Sequence, residues 1–417
     1  MFRFLPSRMT PPAKITNIPK NGVDYRGKVV LAPMVRSGEL PSRLLALKYG
    51  ADLVWGPETI DRSMIGTRRS FNPATSTIDF TRLPSNASRR YPEPSKESLI
   101  YRIHPEREQG RLIFQLGTAS PDTAVKAADL VARDVAGIDV NAGCPKPFST
   151  SGGMGAALLQ DPDRLAAILT ALVNEIGGKY QIGISVKIRL LENMEQTSAL
   201  VEKLCKTGIT GLTVHCRTTP MRPRERAIRE QLSMIGQICQ KHHVACLMNG
   251  DVKNRDEARE LMHEYGMDGA MIATAAESNP SCFRSQQGGG LLPWVEVVKE
   301  YLKIALDVDN KWGNTKFLLG QLIPGKDEAF RRMASSMSYR QLCEAFGFDE
   351  QMERAQAVDL RLGLDEGRQT KGMKKAAFKN KIQGHSSMTN AQNKLLEEEV
   401  QDWRSIPNLK QACLLAS

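Results

Sequence analysis

Cysteine is scarce in this chain, with 8 in 417 residues and no C-x-x-C pair among them. That scarcity excludes a disulfide scaffold or a zinc ribbon and points to a reducing compartment. Long apolar runs are missing too. The longest apolar stretches, such as LVARDVAGIDV, are interrupted by charge and fall short of the roughly 18 to 20 residues a membrane-spanning helix needs, so no membrane role is expected. No complete G-x-G-x-x-G fingerprint occurs: Gly153 and Gly155 begin one, but position 158 is Leu, and a Rossmann dinucleotide site is not supported. Acidic residues are absent from the first twenty, which carry Arg3, Arg8, Lys14 and Lys20. Some organelle-import peptides share that feature, yet Pro6, Pro11 and Pro12 argue against the amphipathic helix such peptides form. Residues 1–24 are therefore expected to be a disordered leader and the protein cytoplasmic, with a nuclear or mitochondrial fraction left open.

What is present is ordinary globular composition, 41% hydrophobic, with 57 Lys+Arg against 46 Asp+Glu for a net charge of +11. The excess is uneven. Arg368, Lys371, Lys374, Lys375, Lys379 and Lys381 fall in one stretch with no acid, dense enough to pair with phosphates, although a solvated tail is the blander reading.

Short apolar runs recur with helical segments between them: KVVLAP from Lys28, DLVWG from Asp52, RLIFQL from Arg111, GIDVN from Gly137, GISVKI from Gly183, GLTVH from Gly211, VACLMNG from Val244 and GAMIA from Gly269. Strand then helix, eight times, predicts an α/β fold, a (β/α)8 TIM barrel over 25–287. Helices are predicted in LPSRLLALKYG, PDTAVKAADLVARD, DPDRLAAILTALVNEIG, SALVEKLCKTG and KNRDEARELMHEYG, several ended by Gly where a left-handed cap is expected. Between DLVWG and RLIFQL lies a long connection containing LPSNASRRYPEPSKES, read as a surface insertion. After the glycines at 288–290 the pattern turns helical, predicting a smaller all-helical domain over 291–365. A basic, flexible tail over 366–417, with one short helix near KLLEEEVQDW, completes the chain.

In such a barrel the functional residues lie at the carboxyl ends of the strands. Those ends carry Ala32-Pro33-Met34-Val35, Gln115, Asn141 with Gly143-Cys144-Pro145, Lys187 with Arg189, His215 with Arg217, Asn249-Gly250-Asp251 and Ala273-Thr274. Any one of these alone is more often a surface group; converging on one mouth they outline a pocket. Amide, Lys, His and a glycine turn suit a planar heterocycle bearing a phosphate, the phosphate held by backbone N–H groups after the seventh and eighth strands. FMN fits that description. Metal is disfavoured, because His215 has no partner at ligand spacing and His242-His243 falls in a helix-to-strand turn. Cys144, between two turn-forming neighbours and followed by STSGGMG, has two readings. It is a buried structural cysteine or a catalytic thiol at the pocket mouth, and its position favours the second. Cys216 should alternate away from the side that His215 faces.

Together VVLAPMV, GIDVNAGCPKPFSTSGGMGAALL, SVKIR, TVHCRTT, LMNGDV and MIATAAESNP resemble the tRNA-dihydrouridine synthases, flavoenzymes that reduce uridine in tRNA. The resemblance covers about residues 26–360. LPSRLLALKYGADLVWGPETID, NTKFLLGQL and CEAFG are similar to the eukaryotic type acting on position 20 of the D-loop. The resemblance implies FMN contacts from Pro33, Met34, Val35 and Gln115, with Lys187 and His215 on the pyrimidine side. It implies phosphate contacts from Asn249, Gly250, Asp251, Ala273 and Thr274, and substrate contacts from Asn141, Arg189 and Arg217. Cys144 matches the family's proton donor. NADPH or NADH is the implied reductant, tRNA the implied partner, and a monomer is expected. Two positions depart from the family: Thr274 stands where Arg is common, and Cys216 where Gly is usual. Two other readings remain: an FMN barrel oxidoreductase acting on a free pyrimidine, and a flavin-free tRNA-binding protein descended from such an enzyme.

Overall fold

The computed structural model describes residues 18–83 and 97–364. Its strands among those residues are β1 (Lys28–Leu31), β2 (Val54–Trp55), β3 (Thr59–Ile60), β4 (Arg68–Asn72), β5 (Thr77–Arg82), β6 (Ser98–Ile103), β7 (Leu112–Gly117), β8 (Gly137–Ala142), β9 (Gly183–Arg189), β10 (Gly211–His215), β11 (Ala245–Asn249) and β12 (Gly269–Ile272). The eight expected strands pair in parallel in the order β2-β1-β12-β11-β10-β9-β8-β7, and Val54 opposite Leu112 with Trp55 opposite Ile113 closes the ring. This is the predicted (β/α)8 barrel. Its outward faces (Ile138 and Val140, Ile184 and Val186, Leu212 and Val214) are buried under helices, which is why these strands read as nearly continuous apolar runs.

Tyr25 plugs the bottom of the barrel, and two of the four strands that begin with glycine, β8 and β10, start against its side chain. A Cβ on Gly211 would sit 2.7 Å from the Tyr25 ring, and one on Gly137 would sit 3.2 Å from its hydroxyl. The ring leans on Trp55, centroids 5.8 Å apart, and Val30, Leu247 and Met271 fill the space around them. Residues 18–24, counted in the expected leader, are held on the barrel: the Asn21 N–H donates to Gln181 O at 2.8 Å and its amide to Tyr180 O at 2.9 Å.

The connection after β2 is more than a surface loop. It holds β3 against β7 and a three-stranded antiparallel sheet, β4-β5-β6, whose Phe80, Tyr101 and Ile103 are buried. Tyr101 meets Phe114 of the barrel edge-on at 4.9 Å. Most of LPSNASRRYPEPSKES, the expected leader before residue 18, the basic run and the short helix expected near KLLEEEVQDW lie outside the described residues.

The five predicted barrel helices form, and one more, Leu232–Lys241, fills the gap between β10 and β11. Gly266 ends Arg255–Tyr265 at φ 66 as a left-handed cap. The helix from Pro162 passes its glycines through a π turn at Val173–Gly177, and the left-handed residue falls at Gln181, φ 56. Beyond the barrel, helices run Trp294–Asp307, Trp312–Leu322, Glu328–Ser335, Tyr339–Phe346 and Met352–Leu362. A buried knot joins Trp312–Leu322 to Tyr339–Phe346: Tyr339 OH lies 2.6 Å from Thr315 Oγ1 and donates to Asn310 O at 2.7 Å. Residues through Val358 form one compact unit with the barrel. Lys48 Nζ pairs with Glu300 at 2.5 Å, Lys311 Nζ donates to Leu99 O at 2.9 Å, and the Arg36 guanidinium lies 4.2 Å over the Phe317 ring.

Candidate active site

Alternation along the strands decides which side chains reach the barrel mouth. Asp139 and Asn141 share the inner face of β8, and Ser185, Lys187 and Arg189 that of β9. The register sets Asn141 beside Lys187 and, one layer up, Arg189 beside His215 and His215 beside Asn249. A cavity of ≈ 440 Å³ opens at this upper layer, lined among others by Arg189, His215, Asn249, Gly250, Ala273 and Thr274.

His215 stays neutral. Burial, with Lys187, Arg189 and Arg217 nearby, takes its imidazole down to about 2. Arg217 NH1 lies 3.3 Å from His215 Nε2; since guanidinium only donates, Nε2 accepts and the ring proton sits on Nδ1. Arg217 is otherwise spent on its own loop: NH2 donates to Asp251 Oδ1 at 2.6 Å and Pro223 O at 2.9 Å, and Nε to Glu225 O at 2.7 Å. Asp251 also accepts from the Ala227 N–H at 2.8 Å. Burial pushes its carboxyl up, but Arg217 and that amide outweigh it and hold it low. Arg217 and Asp251 thus fasten the loop after β10 to the turn after β11, where Gly250 (φ 123) and Asp251 (φ 51) are both left-handed. Asn249 donates its amide to Met271 O at 2.9 Å.

Lower in the barrel, Asp139 is fully buried and accepts from Gln115 Nε2 at 2.9 Å and Ser185 Oγ at 2.7 Å. Burial raises it to about 6, with those hydrogen bonds and the Lys187 charge opposing the rise. A carboxylate accepts only, so it fixes which end of the Gln115 amide faces it. Lys187 is drawn down to about 8 by burial first and by Arg189 second.

Cys144 stands on the turn after β8. Asn141 Oδ1 accepts the N–H groups of Gly143 at 3.0 Å and Cys144 at 3.1 Å, and Arg189 Nε donates to Gly143 O at 2.7 Å. The thiol is half-buried, and burial pushes it above its ordinary value. The STSGGMG run is anchored at its ends, with Ser151 and Gly152 exposed between them: Ser149 is fully buried and donates to Glu58 Oε1 at 2.9 Å. Glu58 and Ser149 escape a reading of the strand ends because β2 is two residues long and its end, Gly56-Pro57-Glu58, already turns into β3. Asp139 had a signal, the two-residue spacing to Asn141. Of the other expected residues, Met34 packs on the barrel core, Pro33 is half-buried, and Val35 is 47% exposed. Cys216 is fully buried, as alternation required, and burial takes its thiol to about 12.

Residues 30–307 match the family described as Dihydrouridine synthase (Dus). The chain belongs to the dihydrouridine synthase family. The tRNA-dihydrouridine(20) synthase (NAD(P)+) of Schizosaccharomyces pombe is 50% identical over 341 residues, 81% of this chain and 68% of that one. Its namesake from Saccharomyces cerevisiae is 46% identical over 321 residues, 76% and 82% of the two chains. A tRNA-dihydrouridine(20a/20b) synthase of Schizosaccharomyces pombe is more distant, 29% identical over 287 residues, covering 69% of this chain and 76% of that one. Within the dihydrouridine synthases the chain is therefore nearer to these position-20 relatives than to this 20a/20b relative, in line with the motifs in its amino-terminal and helical segments.

Proposed function

We propose that the chain is an FMN-dependent tRNA-dihydrouridine synthase that reduces the C5=C6 bond of uridine 20 in the tRNA D-loop, with NADPH or NADH as reductant. One observation carries this reading: a half-buried thiol, Cys144, is held by Asn141 on the rim of a barrel mouth whose floor is a neutral imidazole and a lysine. The cavity falls in the range of about 300–1,000 Å³ typical of small-ligand sites. On its wall Gly250 leaves bare backbone: a Cβ there would lie 3.4 Å from the His215 ring. These features suit a flat heterocycle with a phosphate, and the proposed FMN contacts are Pro33, Met34, Val35, Gln115, Lys187, His215, Asn249, Gly250, Asp251, Ala273 and Thr274. At Thr274, in place of an arginine, a hydroxyl begins the short helix Thr274–Ser278, while Lys253 brings a positive charge to the same cavity wall.

Those residues would hold a reduced flavin, whose chemistry there would be hydride donation to C6 of the uracil. The remaining work belongs to the protein. Addition at C6 leaves an enolate across C5 and the C4 carbonyl, and C5 then takes a proton. Cys144 carries that proton: with its thiol pushed up by burial it is protonated at neutral pH, and the sulfur regains hydrogen from solvent after the transfer. Asn141 and Arg189 border the place of the uracil, and Arg217 keeps the bordering loop in place. A stacked base cannot reach this depth, so the nucleotide is turned out of the RNA. The helical segment from Trp294, with Lys326, Arg331, Arg332 and Arg340 exposed, would meet tRNA phosphates, and affinity should fall with salt.

The test is mass-spectrometric mapping of dihydrouridine in tRNA from cells lacking the protein. Position 20 should lose the modification, wild type should restore it, and Cys144→Ala should restore it at least about 100-fold more slowly while the purified variant stays yellow. Unchanged D-loop content in the deletion would overturn the reading.

A further inference from the structure

Glu58 has no part in the chemistry described so far, yet the structure builds a place for it. Its Oε1 accepts from the buried Ser149 hydroxyl at 2.9 Å, and its buried Oε2 has no hydrogen bond of good geometry. Burial raises the carboxyl, and Ser149 opposes that rise together with its other polar neighbours, the Asn141 and Cys144 side chains. Because Asn141 Oδ1 is occupied by two backbone N–H groups, its amide nitrogen is the end left for the carboxyl. Two glycines clear the space. A Cβ on Gly117 would lie 2.6 Å from Glu58 Oε1, and one on Gly155 would lie 2.4 Å from Ser149 Oγ and 2.6 Å from Cys144 O. One carboxyl and one hydroxyl are thus packed against the backbone of Cys144 at a spot from which side-chain bulk has been removed on two sides.

We infer that Glu58 is a positioning residue for Cys144: clamped by Ser149 against the turn that Asn141 holds, its carboxyl fixes the Cys144 sulfur where it can donate its proton. Burial is the first force holding the proton on the sulfur; the ionisable groups acting on it besides are Glu58 from the end of β2 and Arg189 and Lys187 from β9. The two cations favour a thiolate, as they would for a nucleophilic cysteine. Glu58 opposes them, because ionising the sulfur beside a carboxylate places two like charges in one half-buried site. The inference rests on Cys144 being a proton donor, for which a thiolate would be useless.

The experiment is alkylation of Cys144 by iodoacetamide in the purified holoenzyme from pH 7 to 10.5, read by peptide mass. Glu58→Gln should shift the profile to lower pH and alkylate Cys144 about tenfold faster at pH 8, the effect of one pH unit. Glu58→Ala removes the same charge and should shift the profile likewise, so the test survives if either variant folds. A wild-type profile in both, or a rate raised equally at every pH, which reports access and not charge, would overturn the inference. No RNA enters this measurement, so its failure is separate from failure of the dihydrouridine reading, which the D-loop mapping reports.

Discussion

Arg43 with Glu108, and Lys187 with its neighbours, are two sets of buried charge in one chain, arranged in opposite ways. Arg43 is 1% exposed, and each part of its guanidinium is used: Nε meets Glu108 Oε1 at 2.6 Å, NH1 donates to Gly38 O at 2.9 Å and NH2 to Arg102 O at 2.8 Å. Glu108 takes the His104 N–H as well, at 2.9 Å. Burial alone would weaken the Arg43 charge, but Glu108 outweighs it and holds the proton more tightly than usual. This cluster rivets the first barrel helix to the inserted sheet. At the mouth, Lys187 sits among Arg189 and His215 with Asp139 a layer below, and burial with like charge weakens its hold on a proton. A satisfied cluster holds structure; one left short of partners is set for something that arrives later.

Arg43→Met should break the first arrangement with the largest effect. Glu108 would be left buried and unpaired, a loss of about 3–5 kcal/mol, seen as a lower thermal midpoint with the pH profile of Cys144 alkylation unchanged. Lys187→Met should act in the opposite sense on stability. Its folded value near 8 lies below lysine's ordinary 10.5, so protonating the unfolded chain works against folding as pH falls from about 10.5 to 8. The variant should therefore gain about 1–2 kcal/mol below pH 8, and the gain should vanish above pH 10.5. The same variant should reduce its flavin more slowly with NADPH in stopped flow. A stability gain without slower reduction would remove Lys187 from the site. Tyr339→Phe, which takes one hydroxyl from the knot beyond the barrel, should cost about 1 kcal/mol in denaturant melts and leave the mouth untouched.

The strands and their order were readable because parallel barrel strands are buried on both faces and stand out as apolar runs of four to seven residues. The site residues on β7 to β12 were readable because period-two alternation projects them from those strands. Glu58 was not. β2 contributes two paired residues, too few to show alternation, and the chain turns at Pro57 into a strand that pairs with β7. The inserted sheet was hidden for a related reason: RRSFN and SLIYRI carry charge among their apolar residues, and it is Arg69 pairing with Asp134 at 2.7 Å, Tyr101 meeting Phe114 and Arg43 meeting Arg102 O that bring those strands against the barrel.

The amino-acid sequence alone determined the barrel, its helical extension, the family and the cysteine on the rim, because each is written in residues adjacent in the chain: a run, a period or a motif. Only the tertiary structure decided which charges are satisfied and which are left open. Arg43 and Glu108 are 65 residues apart, Glu58 and Ser149 91, and Arg217 and Asp251 34. The protonation of a buried group depends on the solvent it loses and the partners it gains, and at those separations both are set by packing.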